Sequence, residues 1–233
     1  MRGAMYGTSY FQSVLNESDV RLLTEHWLNE NNISFLSTFA DNFHLIYSIY
    51  INCNNTINGS GGTAILVCKS LNFKLQNLNI TNDRMYGVKL CSDKYYDICL
   101  ICVLLPFTKF SSDVYMNYID ELCTCYDTYS EDCTTIVGGD CNIDLTSNST
   151  SSKLTCFTNF LNDRNLCSAP LLQGRVGPKY TFRSKDFTKR SLLDYICVPE
   201  YLSNDIFTLE IKSNCSYEVS DHYAVFVQMN IDL

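Results

Sequence analysis

Carboxylate, amide and imidazole side chains occur at the ends of four apolar stretches of the sequence. These are the groups that general acid–base and metal-assisted chemistry use. A strand that ends in such side chains usually delivers them to a cleft rather than to bulk solvent. We therefore take six candidate site residues: Glu25, Asp140, Asn142, Asp194, Asp221 and His222.

Each of these signals is weak when taken alone. The pattern Gly139-Asp140-Cys141-Asn142 arises easily by chance. A glutamate such as Glu25 after a strand is usually solvated, Asp194 could cap a turn, and the triplet at 220–222 is more often a turn than a site. The structural interpretation is the more frequent one for each motif, so only their joint occurrence favours a site.

Apolar periodicity predicts the elements that must position these side chains. Helical spacing appears at 10–15, 114–122 and 154–161. The second and third of these segments follow good N-cap candidates, Ser112 and Ser151/Ser152. Many strands with a few interspersed helices indicate an α/β sandwich with sheets inside and helices outside. The predicted strands are Val20–Thr24, Phe43–Asn52, Thr63–Cys68, Tyr96–Leu105, Thr134–Gly138, Leu192–Val198 and Ala224–Met229.

Length and hydropathy favour a single soluble domain. The chain has 233 residues, of which 46% are hydrophobic, enough for one large core, and we predict one domain over residues 1–233. The apolar run from Ile98 to Leu105 is about half of what spans a bilayer, and Met1 to Leu15 lacks a signal pattern. We expect an intracellular monomer, nuclear or cytoplasmic, that is neither secreted nor bound to a membrane.

The cysteines do not indicate a disulfide scaffold. Their number is odd, 13, and most lie inside apolar runs, as Cys99, Cys102 and Cys197 do. Buried thiols in a reducing compartment are therefore predicted. Cys123 and Cys125 form only a C-x-C pattern, which does not support a structural zinc site.

The charge is acidic overall but locally basic. A net charge of −8 argues against a protein that grips nucleic acid over its whole surface. Six of the 17 basic residues nevertheless fall within 175–190. A solvated hairpin and a phosphate-contacting loop both account for this cluster. Its candidate nucleic-acid contacts are Arg183, Lys185, Lys189 and Arg190.

The order of these motifs along the chain resembles that of the endonuclease/exonuclease/phosphatase superfamily, which includes exonuclease III and the apurinic/apyrimidinic endonucleases. Thr24 to Leu28 resembles the family's Q-E-T-W-L, Gly62 to Val67 resembles its G-G-v-A-I-L-V strand, and Tyr180 to Ser184 resembles Y-T-W-R-S. Within the superfamily, the sequence is most similar to the endonuclease domains of LINE-type non-LTR retrotransposons.

This resemblance implies a four-layer α/β sandwich, with two packed mixed β-sheets flanked by helices, and a phosphodiesterase that nicks DNA. It implies Mg²⁺, with Mn²⁺ as an alternative, bound by Glu25 and Asp221. Asp140 would orient or deprotonate the attacking water, and Asn142 would hold the phosphate. Asp194 would pair with His222, which would stabilise the phosphate. The implied partners are DNA and a reverse transcriptase domain in the parent polyprotein.

Two departures from the family pattern lead to further expectations. The family begins with a strand that ends in N-x-R-G, of which Met1-Arg2-Gly3 supplies only x-R-G, so we expect an N-terminally truncated domain without its first core strand. Leu104 stands where the family's V-Y-x-P carries a tyrosine that donates to the scissile phosphate. Two alternatives therefore stay open: an impaired retroelement relic, and a hydrolase of abasic sites or small phosphate esters.

Overall fold

The computed structural model describes residues 15–28, 33–38, 40–48, 61–93, 96–107, 109–212 and 220–230. The helices of these residues are α1 Ser34–Ser37, α2 Ser112–Ser130 and α3 Ser152–Asp163. Their strands are β1 Val20–Thr24, β2 Phe43–Ser48, β3 Thr63–Cys68, β4 Lys74–Asn77, β5 Met85–Cys91, β6 Ile98–Leu104, β7 Thr134–Asp140, β8 Leu166–Ser168, β9 Phe182–Arg183, β10 Arg190–Ser191, β11 Asp194–Pro199, β12 Ile206–Lys212 and β13 Ala224–Met229. Short 3₁₀ turns cover Lys69–Leu71, Ala169–Leu171 and Glu200–Asp205.

A six-stranded mixed sheet with the order β4-β5-β6-β7-β11-β8 forms the centre of the fold. Its strands pair antiparallel except for β6 and β7, which are parallel. A parallel pair requires a crossover connection. Helix α2 supplies this connection, and both strands consequently end at the same edge of the sheet.

The two faces of this sheet bury different partners. One face packs against α2 and α3, where Tyr115, Phe157 and Phe160 are at most 1% exposed. The other face packs against a three-stranded sheet with the order β1-β3-β2, through residues such as Ile65 and Val67. A two-stranded sheet of β12 and β13 lies beside β11, and α1 covers the outer face of the three-stranded sheet. The resulting α/β layers confirm the predicted fold class.

The helix caps show one small error in the sequence interpretation. Ser111, rather than Ser112, caps α2, and its hydroxyl accepts the Val114 N–H at 3.3 Å. Ser151 caps α3 as predicted, with its hydroxyl 3.2 Å from the Leu154 nitrogen. An N-cap side chain must bond an N–H of the first turn, and in α2 the residue placed to do so is the earlier serine.

Several other predictions can be compared with the described residues. Strands β1, β3 and β13 have the predicted bounds, and Cys99, Cys102 and Cys197 are buried. The predicted helix at 10–15 and the Met1-Arg2-Gly3 motif lie outside the described residues, except for Leu15. Within the described ranges, no helix is both long enough and apolar enough to cross a membrane.

Candidate active site

Asp140, Asp194 and His222 come together at one edge of the central sheet. The register of β7 and β11 places Asp194 opposite Asp140, so the two carboxylates stand on neighbouring strands. His222 lies just before β13, and its Nδ1 is 2.8 Å from Asp194 Oδ2. One nitrogen or oxygen atom from each of the three side chains lies within 4.8 Å of the others. Three of the six predicted site residues therefore form a compact cluster.

The loop after β7 fixes the carboxylate of Asp140. Asn142 adopts a positive φ of 50°, and its backbone N–H donates to Asp140 Oδ1 at 2.9 Å. Its side-chain amide donates to Asp140 Oδ2 at 3.1 Å and to the Leu105 carbonyl at 2.8 Å. Asparagine tolerates the left-handed region better than most residues. In this structure Asn142 orients Asp140, and its expected role of holding the phosphate stays a prediction.

Thr181 positions the strand that carries Asp194, and the sequence interpretation assigned it no role. It is completely buried, and its hydroxyl accepts the backbone N–H groups of Leu193 and Asp194, each at 3.0 Å. Its carbonyl accepts the N–H of Tyr223 at 2.6 Å. One residue thus ties the start of β11 to the segment that bears the histidine. The only sequence signal was its place in the Tyr180-Thr-Phe-Arg-Ser stretch.

The charges of the cluster shift its proton equilibria. Burial raises the pKa of Asp140 to about 8, and the negative charge of Asp194 acts in the same direction. Burial alone would lower the pKa of His222, but Asp194, Asp140 and Asp221 raise it to about 10. The raised pKa favours the imidazolium form, whose Nδ1 lies 2.8 Å from Asp194 Oδ2.

Glu25 and Asp221, the predicted metal ligands, lie at the margin of the cluster. Both line one cavity of about 540 Å³ together with Asp140, Asp194 and His222. Glu25 has a positive φ of 52° directly after β1, and its charge contributes to the raised pKa of Asp140. Asp221 is exposed, and its backbone carbonyl accepts the Arg183 N–H at 2.9 Å. The structure brings both carboxylates to the site without placing them in the three-residue cluster.

The donor set fits a hard divalent cation better than a histidine-bound metal. With Nδ1 engaged by Asp194 and its pKa raised, His222 favours proton donation over metal ligation. Carboxylate oxygens are the ligands that Mg²⁺ and Mn²⁺ prefer. The mutual repulsion that raises the pKa of Asp140 is also what a bound cation would relieve. A possible metal site with acidic ligands therefore exists here.

Leu104 occupies the position next to Asp140 on the neighbouring strand. It is the last residue of β6, stands opposite Asp140 in the parallel register and is only 2% exposed. Leu105, one residue further, donates its N–H to the Asp140 carbonyl at 2.8 Å. An apolar side chain thus borders the carboxylate at the position where the family pattern has a tyrosine.

The basic segment forms a hairpin beside the cluster. Strands β9 and β10 pair antiparallel, with Arg183 opposite Arg190. Phe182 forms an isolated bridge with His222, and the two rings lie 5.2 Å apart. Lys185, Lys189 and Arg190 are exposed, whereas Arg183 is half-buried over the Phe187 ring at 4.3 Å. The predicted hairpin therefore exists and adjoins the site.

His26, the other histidine near the site, is a structural residue. It is 1% exposed, its Nδ1 accepts the Leu28 N–H at 3.1 Å, and its Nε2 lies 3.1 Å from the Ser48 carbonyl. This pattern requires the neutral tautomer with its proton on Nε2. Burial also lowers the pKa of His26. Gly62 packs so closely on this ring that a Cβ there would collide with it.

Several solved structures with a similar fold are named as nucleases. An AP endonuclease from Leishmania major superimposes with a TM-score of 0.79 and 14% identity over 99% of this chain and 84% of that chain. The endonuclease domain of TRAS1, a telomere-specific non-LTR retrotransposon, gives 0.69 and 13% over 94% and 88%. A 3′-5′ exonuclease from Neisseria meningitidis gives 0.74 and 14% over 99% and 97%.

These similarities establish the fold. No protein-family model and no curated protein matches the sequence. At identities of 13–14%, the shared property is the architecture, which is that of the endonuclease/exonuclease/phosphatase superfamily. The resemblance seen in the sequence motifs is confirmed at this level.

Proposed function

We propose that this chain is a Mg²⁺-dependent phosphodiesterase that nicks DNA, with a role like that of a non-LTR retrotransposon endonuclease. The observation that carries the proposal is the His222–Asp194 ion pair beside the buried carboxylate of Asp140. The site thereby combines a base, a cationic donor and neighbouring acidic ligands. Phosphodiester hydrolysis requires these three functions.

Asp140 is the proposed base for the attacking water. Burial and the negative charge of Asp194 raise its pKa, which makes this carboxylate a stronger base than that of a free aspartate. The contacts from Asn142 hold its carboxylate in one orientation. When the water oxygen bonds to phosphorus, Asp140 takes the proton of the water and the bond between phosphorus and the 3′ oxygen breaks. The 3′ oxygen takes a proton from solvent, which leaves a 3′-hydroxyl and a 5′-phosphate.

His222 is the proposed donor to the phosphate. Because Nδ1 is occupied by Asp194, Nε2–H remains for a phosphoryl oxygen. The ion pair with Asp194 raises the pKa of the imidazole and so favours its charged form. Glu25 and Asp221 would hold the cation, whose chemistry is to neutralise charge on the phosphoryl oxygens and to lower the pKa of a bound water.

Nicking of supercoiled plasmid tests the proposal directly. We expect Mg²⁺ or Mn²⁺ to support conversion to open circles and EDTA to abolish it. His222→Gln should lose about 10²-fold or more of the rate. Asp132→Asn is the matched control, because this exposed carboxylate precedes the same strand, β7, at its other end. Equal activity of His222→Gln and the Asp132→Asn protein would contradict the proposal and would indicate a contaminating nuclease.

A panel of substrates separates this activity from its relatives. Plain duplex, duplex with an abasic site and a small inositol phosphate should be compared at equal enzyme concentration. The proposed function predicts nicking of plain duplex. A preference for the abasic duplex of about 10²-fold or more would instead assign the site to repair-type cleavage, for which the AP endonuclease structures provide precedent.

Leu104 makes reduced activity part of the proposal. Leu104→Tyr restores a hydroxyl beside Asp140, and one such donor is worth about 2.7–4 kcal/mol of transition-state stabilisation. We expect faster nicking together with about 1–3 kcal/mol lower stability, because the position is only 2% exposed and becomes overpacked. Leu104→Phe adds the ring without the hydroxyl. If the phenylalanine variant accelerates nicking equally, donation by the hydroxyl is not the cause.

A further inference from the structure

Two cysteines lie at the end of the central sheet that is remote from the candidate active site. Cys99 is the second residue of β6, and Cys133 directly precedes β7, whereas Leu104 and Asp140 end the same two strands. Because a strand rises about 3.3 Å per residue, the length of β7 places Cys133 about 20 Å from Asp140. The proposed nuclease chemistry therefore does not use these thiols.

The register of the sheet directs both cysteines to the same face. In the parallel pair of β6 and β7, Cys99 stands opposite Thr135, which follows Cys133 by two residues. Side chains two residues apart in an extended chain point to the same face. Cys99 belongs to the apolar core beneath α2 and α3, and Cys133 packs against this core. Burial raises the pKa of Cys99, and a side-chain hydrogen bond with Cys133 raises it further, so the two thiols are in contact.

A lysine adjoins the two thiols. Lys89 of β5 stands directly opposite Cys99 in the antiparallel register, and its ammonium forms an ion pair with Asp97 at 2.8 Å. The hydrogen bond with Asp97 raises the pKa of Lys89, and one with Cys133 acts in the same direction. A cation next to a sulfur stabilises the thiolate, which is the nucleophilic form of cysteine. We call Lys89, Cys99 and Cys133 the dithiol cluster.

The two thiols of the dithiol cluster differ in their access to solvent. Cys99 is completely buried, whereas Cys133 is half-buried. Cys133 also contributes to the wall of a cavity of about 440 Å³, together with Arg164 and Tyr201. A water molecule occupies about 30 Å³ in the liquid, so a molecule of similar size enters this cavity easily. Cys133 is thus placed to react first with a small reagent from solvent, and Cys99 to react second from within the core.

Neither a metal site nor simple burial accounts for this arrangement. Among the residues that the structure describes, the only three candidate metal ligands within reach of one another are Asp140, Asp194 and His222. Two thiols beside a lysine ammonium also fall short of the four ligands of a structural zinc site. Simple burial explains a thiol such as Cys102, which lies in the apolar cluster on the other face of β6. It does not explain an ammonium group beside Cys133.

We propose that the dithiol cluster is a peroxide-reactive site, in which hydrogen peroxide oxidises Cys133 and Cys99 then closes a disulfide with it. In the first step, the Cys133 sulfur attacks a peroxide oxygen, the O–O bond breaks, and the departing hydroxide takes the thiol proton to leave as water. The product is a sulfenic acid on Cys133. In the second step, the Cys99 sulfur attacks the Cys133 sulfur, the S–O bond breaks, and the departing hydroxide takes the Cys99 proton to leave as a second water.

The electrons and the geometry of this reaction both balance. The two sulfurs together give two electrons to one peroxide, so no further reagent is needed. Cys133 lies in the turn before β7, and a shift of this turn brings the sulfurs to a bonding distance of about 2.05 Å without breaking the β6–β7 ladder. This inference does not depend on the proposed nuclease activity.

Peptide mapping after peroxide treatment tests the proposal. The reduced protein is exposed to hydrogen peroxide for graded times, its remaining thiols are blocked with N-ethylmaleimide, and its peptides are analysed by tandem mass spectrometry. We expect the Cys99–Cys133 cross-link to be the first disulfide that forms. Cys125 is the internal reference, because it is half-buried like Cys133 and burial is the one cause that raises its pKa. Its oxidation should be at least about tenfold slower.

Variants assign the order of the two steps and the part played by the lysine. In Cys99→Ala, the reaction should stop at the sulfenic acid of Cys133, which dimedone traps. In Cys133→Ser, Cys99 should remain a thiol, because it is completely buried. Lys89→Met should slow the modification of Cys133 by about fivefold or more, whereas Lys74→Met removes the same charge at an exposed residue of β4 and should not. Thermal midpoints of the untreated variants show whether each is folded.

Four results would overturn the proposal, and the first three need no variant. They are oxidation of Cys133 no faster than that of Cys125, a first disulfide that joins a different pair, sulfenic acid on Cys133 of the parent protein without a cross-link, and equal rates for folded Lys89→Met and Lys74→Met. The third result would show that Cys99 is not the second thiol. The fourth would show that Lys89 does not activate the first.

Discussion

The fold shifts the pKa values of two carboxylates at opposite ends of the central sheet in opposite directions. Asp97 precedes β6 at the far end, where a hydrogen bond from Lys89 at 2.8 Å and one from the Ser92 amide at 3.1 Å lower its pKa. Asp140 ends β7 at the site end, where burial and Asp194 raise its pKa to about 8. The charge of Asp97 stabilises the folded state, whereas the charge of Asp140 opposes folding.

This is the difference expected between a structural carboxylate and the proposed catalytic one. A native state that binds protons more tightly than the unfolded chain loses stability as pH rises, and one that binds them less tightly loses stability as pH falls. Such perturbation by burial and like charge is typical of functional sites.

The largest expected effect is that of Asp140→Asn, which should separate rate from stability. The nicking rate should fall by about 10²–10⁴-fold, because the base is lost. Stability in EDTA should not fall with it. The raised pKa of Asp140 means that the parent protein loses stability as pH rises from about 4 through about 8, and the variant lacks this loss. The difference in thermal midpoint, variant minus parent, should therefore grow toward alkaline pH.

Unfolding measured by circular dichroism between about pH 5 and pH 9 checks this sign. Asp132→Asn serves again as the control at the other end of β7 and should change neither rate nor slope. A variant that is destabilised more at high pH than at low pH would show that the ionised Asp140 stabilises the fold, contrary to the comparison.

A smaller effect is expected from the basic residues, which also differ between the two ends. Lys189 and Arg190 are exposed on the hairpin beside His222, whereas Lys69 and Lys74 are exposed at the far end. Changing both hairpin residues to Ala should make DNA binding less salt-dependent, with a slope smaller by about 0.9 for each phosphate that the protein no longer neutralises. The control is the same double change at the far end, Lys69→Ala with Lys74→Ala, which removes equal charge.

Fluorescence anisotropy of a labelled duplex at several salt concentrations measures these slopes. The Asp140→Asn background prevents cleavage during titration. If both double variants reduce the slope equally, the effect is one of net charge, and the hairpin is not a contact surface.

The sequence predicted the elements whose apolar pattern is continuous and missed those whose pattern is broken. β1, β3 and β13 were predicted with their bounds. β5 was missed because Gly87 and Lys89 interrupt its apolar residues, and β12 because Glu210 and Lys212 alternate with its apolar ones. Both are strands nonetheless, since pairing with β6 and with β13 overrides local composition.

The sequence predicted which residues belong to the candidate site but not how they are arranged in space. Motif order brought Asp140, Asp194 and His222 to attention, but their contact depends on the β7–β11 register, which no local pattern encodes. Thr181 was not predicted for the same reason, because its hydroxyl accepts hydrogen bonds from backbone groups 12 and 13 residues further along the chain. The roles assigned to all six site residues, and to the basic residues of the hairpin, remain predictions.

The smallest expected effect is that of Asp97→Asn, which tests the far end of the comparison. The pKa of Asp97 is lowered, so its contribution is present above the ordinary value near 3.8 and is lost as pH falls through the folded value. Both partners are about a quarter exposed, and such a pair is worth about 0.2–1 kcal/mol. The asparagine keeps an acceptor for the Ser92 amide, so the measured loss isolates the charge. Urea unfolding at about pH 7 should show this loss, which should vanish at about pH 2, and nicking should be unchanged.

A double-mutant cycle with Lys89→Met assigns the energy to the pair. If Asp97→Asn instead lowers the nicking rate, or destabilises the protein more at acid pH than at neutral pH, Asp97 is not the purely structural carboxylate of this comparison.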